Sequence, residues 1–211
     1  MSFKKDKYLV VKRALSRELS DFNYKYLLLK RRVAETYIST KYISPFTTDF
    51  GCFNDPQVIN TYSTYGDIAM ETLLVKLLRL TELATKLTLQ PNYAYARIYK
   101  NGDILKRHTD RFSCEISATL NLGGDPWPLF LHTGKKEFKV NLKPGDMLIY
   151  RGIDLEHWRE PFQGDNCAQV FFHYNNVKTK NSKENLFDTR PHLGLSSDFQ
   201  KKDPSVKGPQ R

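Results

Sequence analysis

The stretch YAYARIYKNGDILKRHTD, residues 93–110, is where the period of the chain changes from helical to alternating. Tyr93, Tyr95, Arg97 and Tyr99 fall on one face of an extended segment, which then meets the turn signal Asn101-Gly102-Asp103. The segment beyond the turn, ILKRHTD, ends with a histidine two positions before an aspartate. Side chains at i and i+2 of an extended chain point the same way, so His108 and Asp110 share a face and Thr109 takes the other. An imidazole and a carboxylate aimed at one point can hold a metal ion. The same short pattern also suits an exposed turn with a local ion pair.

Downstream, the alternation recurs in EISATLNL (115–122), PLFLHT (128–133), EFKVNL (137–142), DMLIY (146–150) and CAQVFFHY (167–174). Gly123-Gly124-Asp125-Pro126, Gly134, Lys143-Pro144-Gly145-Asp146 and Gly164-Asp165-Asn166 supply turn chemistry between them. Many short strands with regular turns predict an antiparallel sandwich or barrel. Upstream the period is helical. Leu15, Leu19, Phe22, Tyr26, Leu29 and Val33 mark one stripe of a helix over 15–33, with Ser16 as its N-cap. Leu73, Leu77, Leu80, Ala84 and Leu87, widened by Leu74 and Leu78, mark a second helix over about 66–88. The stretch 39–62 between them, rich in Ser, Thr, Pro, Gly and Asn, reads mainly as loop. The expected organisation is one compact α+β unit. It comprises an N-terminal helical support region (1–90), a β-barrel core (91–177) and a polar, basic C-terminal tail (178–211), whose last ~10 residues are expected to be mobile.

At 211 residues, with 40% hydrophobic and 13% aromatic side chains, the chain can bury the core of one ordinary domain. No apolar run approaches the roughly 18–20 residues that span a bilayer. The opening MSFKKDKYLVVKRAL is a poor signal peptide, because Lys12 and Arg13 interrupt its apolar stretch. Cys52, Cys114 and Cys167 are odd in number and scattered, which matches reduced thiols in the cytoplasm better than a disulfide framework or a zinc site. The formal net charge of +10 sits at the ends: +7 over residues 1–32 and +4 over 178–211, against −1 for everything between. A basic end can bind polyanions weakly and is equally a solvated face, so charge does not identify a function.

A redox-active Fe(II) site needs two imidazoles and one carboxylate on one face of the ion. Of the remaining histidines, His192 lies in the tail, and His132 and His173 sit within strands, where imidazoles commonly pack. His157, in YRGIDLEHWREPF after DMLIY, stands on a segment leading back towards the sheet.

The order H-x-D, strands with a PGD turn, then a late histidine resembles the 2-oxoglutarate- and Fe(II)-dependent dioxygenases, particularly their prolyl-4-hydroxylase-like branch. RIYKNGDILKRHTD, ISATLNL, KPGDMLIY and His157 carry the resemblance, which covers about two fifths of the chain with specific motifs. It implies a double-stranded β-helix (jelly-roll) barrel supported by the N-terminal helices, with His108, Asp110 and His157 as metal ligands. It also implies Fe(II), 2-oxoglutarate and O2 as cofactor and cosubstrates, with ascorbate as an accessory reductant. Tyr99 corresponds to a tyrosine lining the 2-oxoglutarate pocket.

The basic residue that the family places some nine to eleven positions beyond the last histidine is missing, because Asn166, Cys167 and Ala168 occupy those positions. A buried carboxylate still needs a cationic partner. Arg97, on the face of Tyr99, and Arg159, two residues after His157, are the replacements, followed by Arg151 and Arg111. Trp127, Trp158, Phe171 and Phe172 are candidates for the mouth. The function implied is hydroxylation of a C–H bond in a protein or peptide, with release of succinate and CO2. A nucleic-acid or nucleotide oxidase and a non-enzymatic, cupin-like metal-binding barrel remain as alternatives.

Overall fold

A computed structural model of the chain describes residues 2–44 and 46–201; the expectation of mobility for the last ten or so residues lies outside them. In chain order the elements are α1 (Phe3–Asp6), β1 (Tyr8–Val11), α2 (Arg17–Ser39), β2 (Tyr62–Tyr65), α3 (Ile68–Thr85), β3 (Leu89–Lys100) and β4 (Leu105–His108). They continue with β5 (Ile116–Gly124), β6 (Leu129–His132), β7 (Glu137–Val140), β8 (Met147–Tyr150), β9 (Glu156–Arg159) and β10 (Asn166–Asn176). Short 3₁₀ segments at Phe112–Cys114, Ser182–Thr189 and Ser197–Phe199 complete the described chain.

The strands form two antiparallel sheets. The larger runs β1-β8-β5-β10-β3-β2 and the smaller β4-β9-β6-β7. This is the double-stranded β-helix expected from the sequence, with the two sheets left unjoined along their edges. Alternation decides what each face of the large sheet meets. Ala94, Ala96 and Ile98 of β3, Ile116, Ala118 and Leu120 of β5, and Ala168, Val170 and Phe172 of β10 pack with Leu27 of α2 and Met70, Leu74 and Leu77 of α3. The residues between them face the other way. Tyr99, Leu148, Tyr150 and Cys167 join Leu105, Leu129 and Leu131 of the smaller sheet in a second core. The helices thus cover one face of the large sheet and leave the other for a site.

α2 starts where expected, with the Ser16 hydroxyl accepting from Leu19 N at 3.2 Å, and continues to Ser39. The predicted stripe holds in part: Leu15 is buried and Leu19 and Tyr26 pack against the core, but Phe22 and Leu29 are exposed, and Ser20, Asn23, Leu27 and Ala34 take the buried positions instead. Ser20 and Asn23 donate to the carbonyls of Ser16 and Leu19, which satisfies them without a partner on the sheet. Small side chains let the helix lie close to the sheet. A Cβ on Gly123 of β5 would stand only 2.8 Å from the Tyr24 ring.

α3 buries Leu73, Leu74 and Leu77 as expected and is capped by Asp67, which accepts from Met70 N at 3.0 Å. β1, β2 and β9 are strands that the alternating pattern did not mark. After β10, the 182–201 stretch packs back against β3 and α3, with Arg190 and Asp188 both buried.

Candidate metal centre

β4 and β9 pair antiparallel with His108 directly opposite His157. Side chains so placed are near neighbours on one face of a ladder, and the two imidazole centroids lie 4.2 Å apart. Asp110, just past the end of β4, completes the group. Its Oδ1 is 3.8 Å from His108 Nε2 and 3.6 Å from His157 Nε2. One ligand atom from each of the three lies within 4.8 Å of the others, as a single ion requires.

Both rings are oriented by the backbone. His108 Nδ1 is 2.7 Å from the Lys106 carbonyl and His157 Nδ1 is 3.0 Å from that of Leu155. A carbonyl only accepts, so each Nδ1 carries the hydrogen and each Nε2 presents a lone pair to the centre. Burial pushes the His157 imidazole below its ordinary pKa, against the pull of Asp110, which keeps it neutral as a ligand must be. Two imidazole nitrogens and a carboxylate oxygen converging beside open space fit a divalent iron with vacant positions.

That space is a cavity of about 640 Å³. Tyr93, Tyr95, Arg97 and Tyr99 of β3 form one wall, and Thr119, Phe171 and His173 continue it across β5 and β10. The loop before β2 contributes Asp55 and Gln57, and the C-terminal segment contributes Ser197 and Gln200.

The arginines differ in their partners. Arg97 lines the cavity but is engaged. It forms an ion pair with Asp55, donates to Gln57 Oε1 from Nη1 at 3.2 Å and from Nη2 at 3.1 Å, and donates to the Tyr99 hydroxyl at 3.1 Å. Burial alone would raise the Asp55 carboxyl, but Arg97 and the Tyr95 hydroxyl hold it below the ordinary carboxylate range. Arg111 is likewise paired, 2.9 Å from Asp188, and Arg151 pairs with Asp154 at 2.7 Å.

Arg159 is only 1% exposed and has no carboxylate partner among the described residues. It donates from Nη1 to the Trp127 carbonyl, stacks over the Trp127 ring at 4.9 Å, and leaves Nε without a partner. Burial lowers its pKa, and Cys167, Tyr99 and Tyr150 are the polar groups around it.

Of the aromatics expected at the mouth, Phe171 alone lines the cavity. Phe172 is buried under the helices, Trp127 packs against Tyr99 and Phe162 inside the barrel, and Trp158 stacks on Phe130 on the outer side. Asp55 and Gln57 were not singled out in the sequence, and His173 was read there only as a packed strand imidazole. For His173 the signal is its alternation with Phe171 on β10; a loop offers no comparable pattern for the other two.

The sequence matches no family model and no curated protein. Solved structures share the fold. A Pseudomonas putida prolyl-4-hydroxylase superposes with a TM-score of 0.63 at 16% identity, covering 82% of this chain and 95% of that one. The viral collagen prolyl hydroxylase of Paramecium bursaria Chlorella virus-1, as its 2-oxoglutarate complex, gives 0.57 at 13%, covering 82% and 98%. HygX of Streptomyces hygroscopicus, with nickel, 2-oxoglutarate and hygromycin B bound, gives 0.60 at 14%, covering 94% and 92%. At such identities the similarity is one of fold.

Proposed function

We propose that this chain is an Fe(II)- and 2-oxoglutarate-dependent oxygenase that hydroxylates a C–H bond of a protein or peptide, with His108, Asp110 and His157 as its metal ligands. One observation carries the reading: both histidines turn a bare Nε2 towards Oδ1 of Asp110, with backbone carbonyls fixing both rings, at the edge of a cavity. Fe(II) held there, with 2-oxoglutarate and O2, supplies oxidative decarboxylation to succinate and CO2 coupled to oxygen insertion into the substrate.

The protein's own part is binding, orientation and exclusion of water. Arg159 is the group we assign to the distal carboxylate of 2-oxoglutarate. A buried guanidinium without an anionic partner is costly, and an incoming carboxylate supplies the missing charge. Arg159 does not itself line the cavity, but Tyr99 and Tyr150 beside it do, so a carboxylate reaching Arg159 would also meet their hydroxyls. Arg97 is the weaker candidate, because Asp55 already neutralises it.

The same accounting favours a protein or peptide over a nucleic acid. Among the described residues, the two arginines lining the cavity, Arg97 and Arg111, are each matched by an aspartate, and no lysine lines it. Phosphate recognition needs spare cations, and the excess charge of this chain lies at its ends. No described helix is long and apolar enough to cross a membrane.

The test is anaerobic addition of Fe(II) and then 2-oxoglutarate. A weak visible charge-transfer band should appear with wild type and be lost in His108→Ala, Asp110→Ala and His157→Ala, each still folded. A non-enzymatic metal barrel would bind the ion without a band and without forming succinate in air. A variant with near-normal succinate production would show the ligand assignment to be wrong.

A further inference from the structure

Strand register brings a further imidazole to the cavity. His173 of β10 stands opposite Tyr93 of β3 on one side and Ser117 of β5 on the other. It is 7% exposed, and its ring lies 4.4 Å from that of Tyr93. His173 Nδ1 is 3.1 Å from Ser117 Oγ, which is itself 2.6 Å from Asp110 Oδ2. The two oxygens of the Asp110 carboxylate are thereby divided: Oδ1 faces the two histidine Nε2 atoms and Oδ2 faces the serine.

Ser117 has one proton and three neighbours that can accept it: Asp110 Oδ2, the Cys114 carbonyl at 3.1 Å, and His173 Nδ1 when that nitrogen is bare. The carboxylate contact is the shortest and is charge-assisted, so it takes the proton when His173 carries its own hydrogen on Nδ1. His173 Nδ1–H then donates to Ser117 Oγ. The other tautomer would draw the hydroxyl proton to Nδ1 and leave Oδ2 without that donor. Burial holds the ring neutral, with a pKa lowered to about 4, so the tautomer is what matters at ordinary pH.

We propose that His173, acting through Ser117, is a positioning residue that holds the Asp110 carboxylate so that only Oδ1 addresses the metal. The inference rests on the triad being a metal site. A carboxylate free to rotate can bind an ion through one oxygen or both, and binding through both would consume a coordination position that the chemistry needs. Gly152 closes the remaining side. Its carbonyl accepts from Asp110 N at 2.9 Å, and a Cβ at that position would stand 2.2 Å from Oδ2. The carboxylate is held by its backbone, by a hydroxyl and, through that hydroxyl, by an imidazole.

Co(II) is the probe, read by titration and by its visible d–d bands in the full chain. Ser117→Ala and His173→Phe should each weaken Co(II) binding by about tenfold or more and shift the bands, as loss of outer hydrogen bonds does at metal sites. His173→Asn keeps a side-chain N–H near the place of Nδ1 and should recover affinity to within about threefold of wild type. A packing role for His173 predicts the reverse order, because Phe preserves the ring against Tyr93 and Asn does not. Wild-type affinity and spectrum in His173→Phe, or Asn no better than Phe, would overturn the proposal. Thermal melts establish that each variant is folded, and Ser117→Ala carries the test alone if the Phe variant is not. Wild type that binds no Co(II) would remove the triad reading as well, whereas tight binding insensitive to both positions removes only this inference.

Discussion

Gln57 Nε2 lies 3.1 Å from Nε2 of His108, the nitrogen that the Lys106 carbonyl leaves bare. The amide donates to the lone pair that a metal ion would take. Gln57 Oε1 meanwhile accepts from Arg97, and Asp55 pairs with the same guanidinium, so the loop before β2 is fastened over the site. Metal loading has to break the Gln57–His108 hydrogen bond, worth about 0.5–1.5 kcal/mol net. Gln57→Ala should therefore bind Co(II) or Fe(II) about two- to tenfold more tightly. Anaerobic titration against a competing chelator measures this, and equal or weaker binding would show that the amide does not compete.

Arg97 and Arg159 should separate in two independent measurements. Arg159→Leu removes an unpaired buried cation, so the protein without cosubstrate should be no less stable, while 2-oxoglutarate affinity falls by about thirtyfold or more at saturating Fe(II). Arg97→Leu strands the Asp55 carboxylate and should destabilise the protein by about 3 kcal/mol, with a smaller effect on 2-oxoglutarate. Denaturant melts and 2-oxoglutarate titrations of both variants decide the matter. Unchanged 2-oxoglutarate binding in Arg159→Leu would return the assignment to Arg97.

What could be read from the sequence follows from the range of each interaction. β3, β5 and β10 announce themselves because one face is buried under helices and the other faces the barrel, which leaves a period of two in the residues themselves; β8 (MLIY) shows instead as a short apolar run after the PGD turn. β1 (YLVV) and β2 (YSTY) are too short to show a period, and their strand character comes from pairing with β8 and β3, far away in sequence. The predicted stripe on α2 was half right, with Leu15, Leu19 and Tyr26 on the core; Phe22 and Leu29 missed because the buried face also uses Ser20 and Asn23, which a hydrophobic pattern cannot register.

The convergence of His108, Asp110 and His157 was legible because H-x-D fixes two of the three locally and the strand order supplies the third. The pairing of Asp55 with Arg97 was not. It joins a loop to a strand across more than forty positions, and nothing local in FNDPQ encodes it. Arg159 could be placed on the ligand face by counting from His157, but its lack of an anionic partner is visible only in three dimensions.

Asp146 of the PGD turn fastens the N-terminal strand to the barrel. Its carboxylate accepts from Lys12 Nζ at 2.8 Å, Arg13 N at 3.0 Å and Lys143 N at 3.1 Å. Burial would raise its pKa, yet Lys12 and the two backbone N–H groups together bring it below the ordinary 3.8. A depressed carboxyl contributes stability that is fully present well above 3.8 and is lost as pH falls through the lower, folded value. Asp146→Asn should therefore cost roughly 2–3 kcal/mol at pH 7, and the gap from wild type should narrow progressively below pH 4. Melts from pH 7 to pH 3 check both the size and the sign. A gap that stays constant over that range would mean the charge of Asp146 contributes nothing.

The C-terminal segment is held by an ion pair that water does not reach. Arg190 Nη2 lies 2.7 Å from Glu71 Oε1 of α3, with the two side chains 0% and 1% exposed. Glu71 also accepts from Ala94 N and Gly194 N, and Arg190 donates to the carbonyls of Phe187, Leu195 and Asn92. Just before it, Phe187, Asp188 and Thr189 have φ of 53°, 54° and 66°, a run of left-handed backbone without glycine. Such residues cost on the order of 1 kcal/mol or more each and persist only where contacts hold them. Here Asp188 is held by Tyr65, Arg111 and Gln200.

Breaking a buried pair by removing one partner strands the other charge, so Arg190→Met should destabilise the protein by about 3–5 kcal/mol. Because Ser197 and Gln200 line the cavity from this segment, the same variant should become sensitive to proteolysis around 183–201. Co(II) affinity should stay near wild type, since β4 and β9 carry the triad. Denaturant unfolding and limited proteolysis provide the two readouts. A loss below about 1 kcal/mol with unchanged proteolysis would mean that other contacts hold the segment and that the pair merely balances its own desolvation.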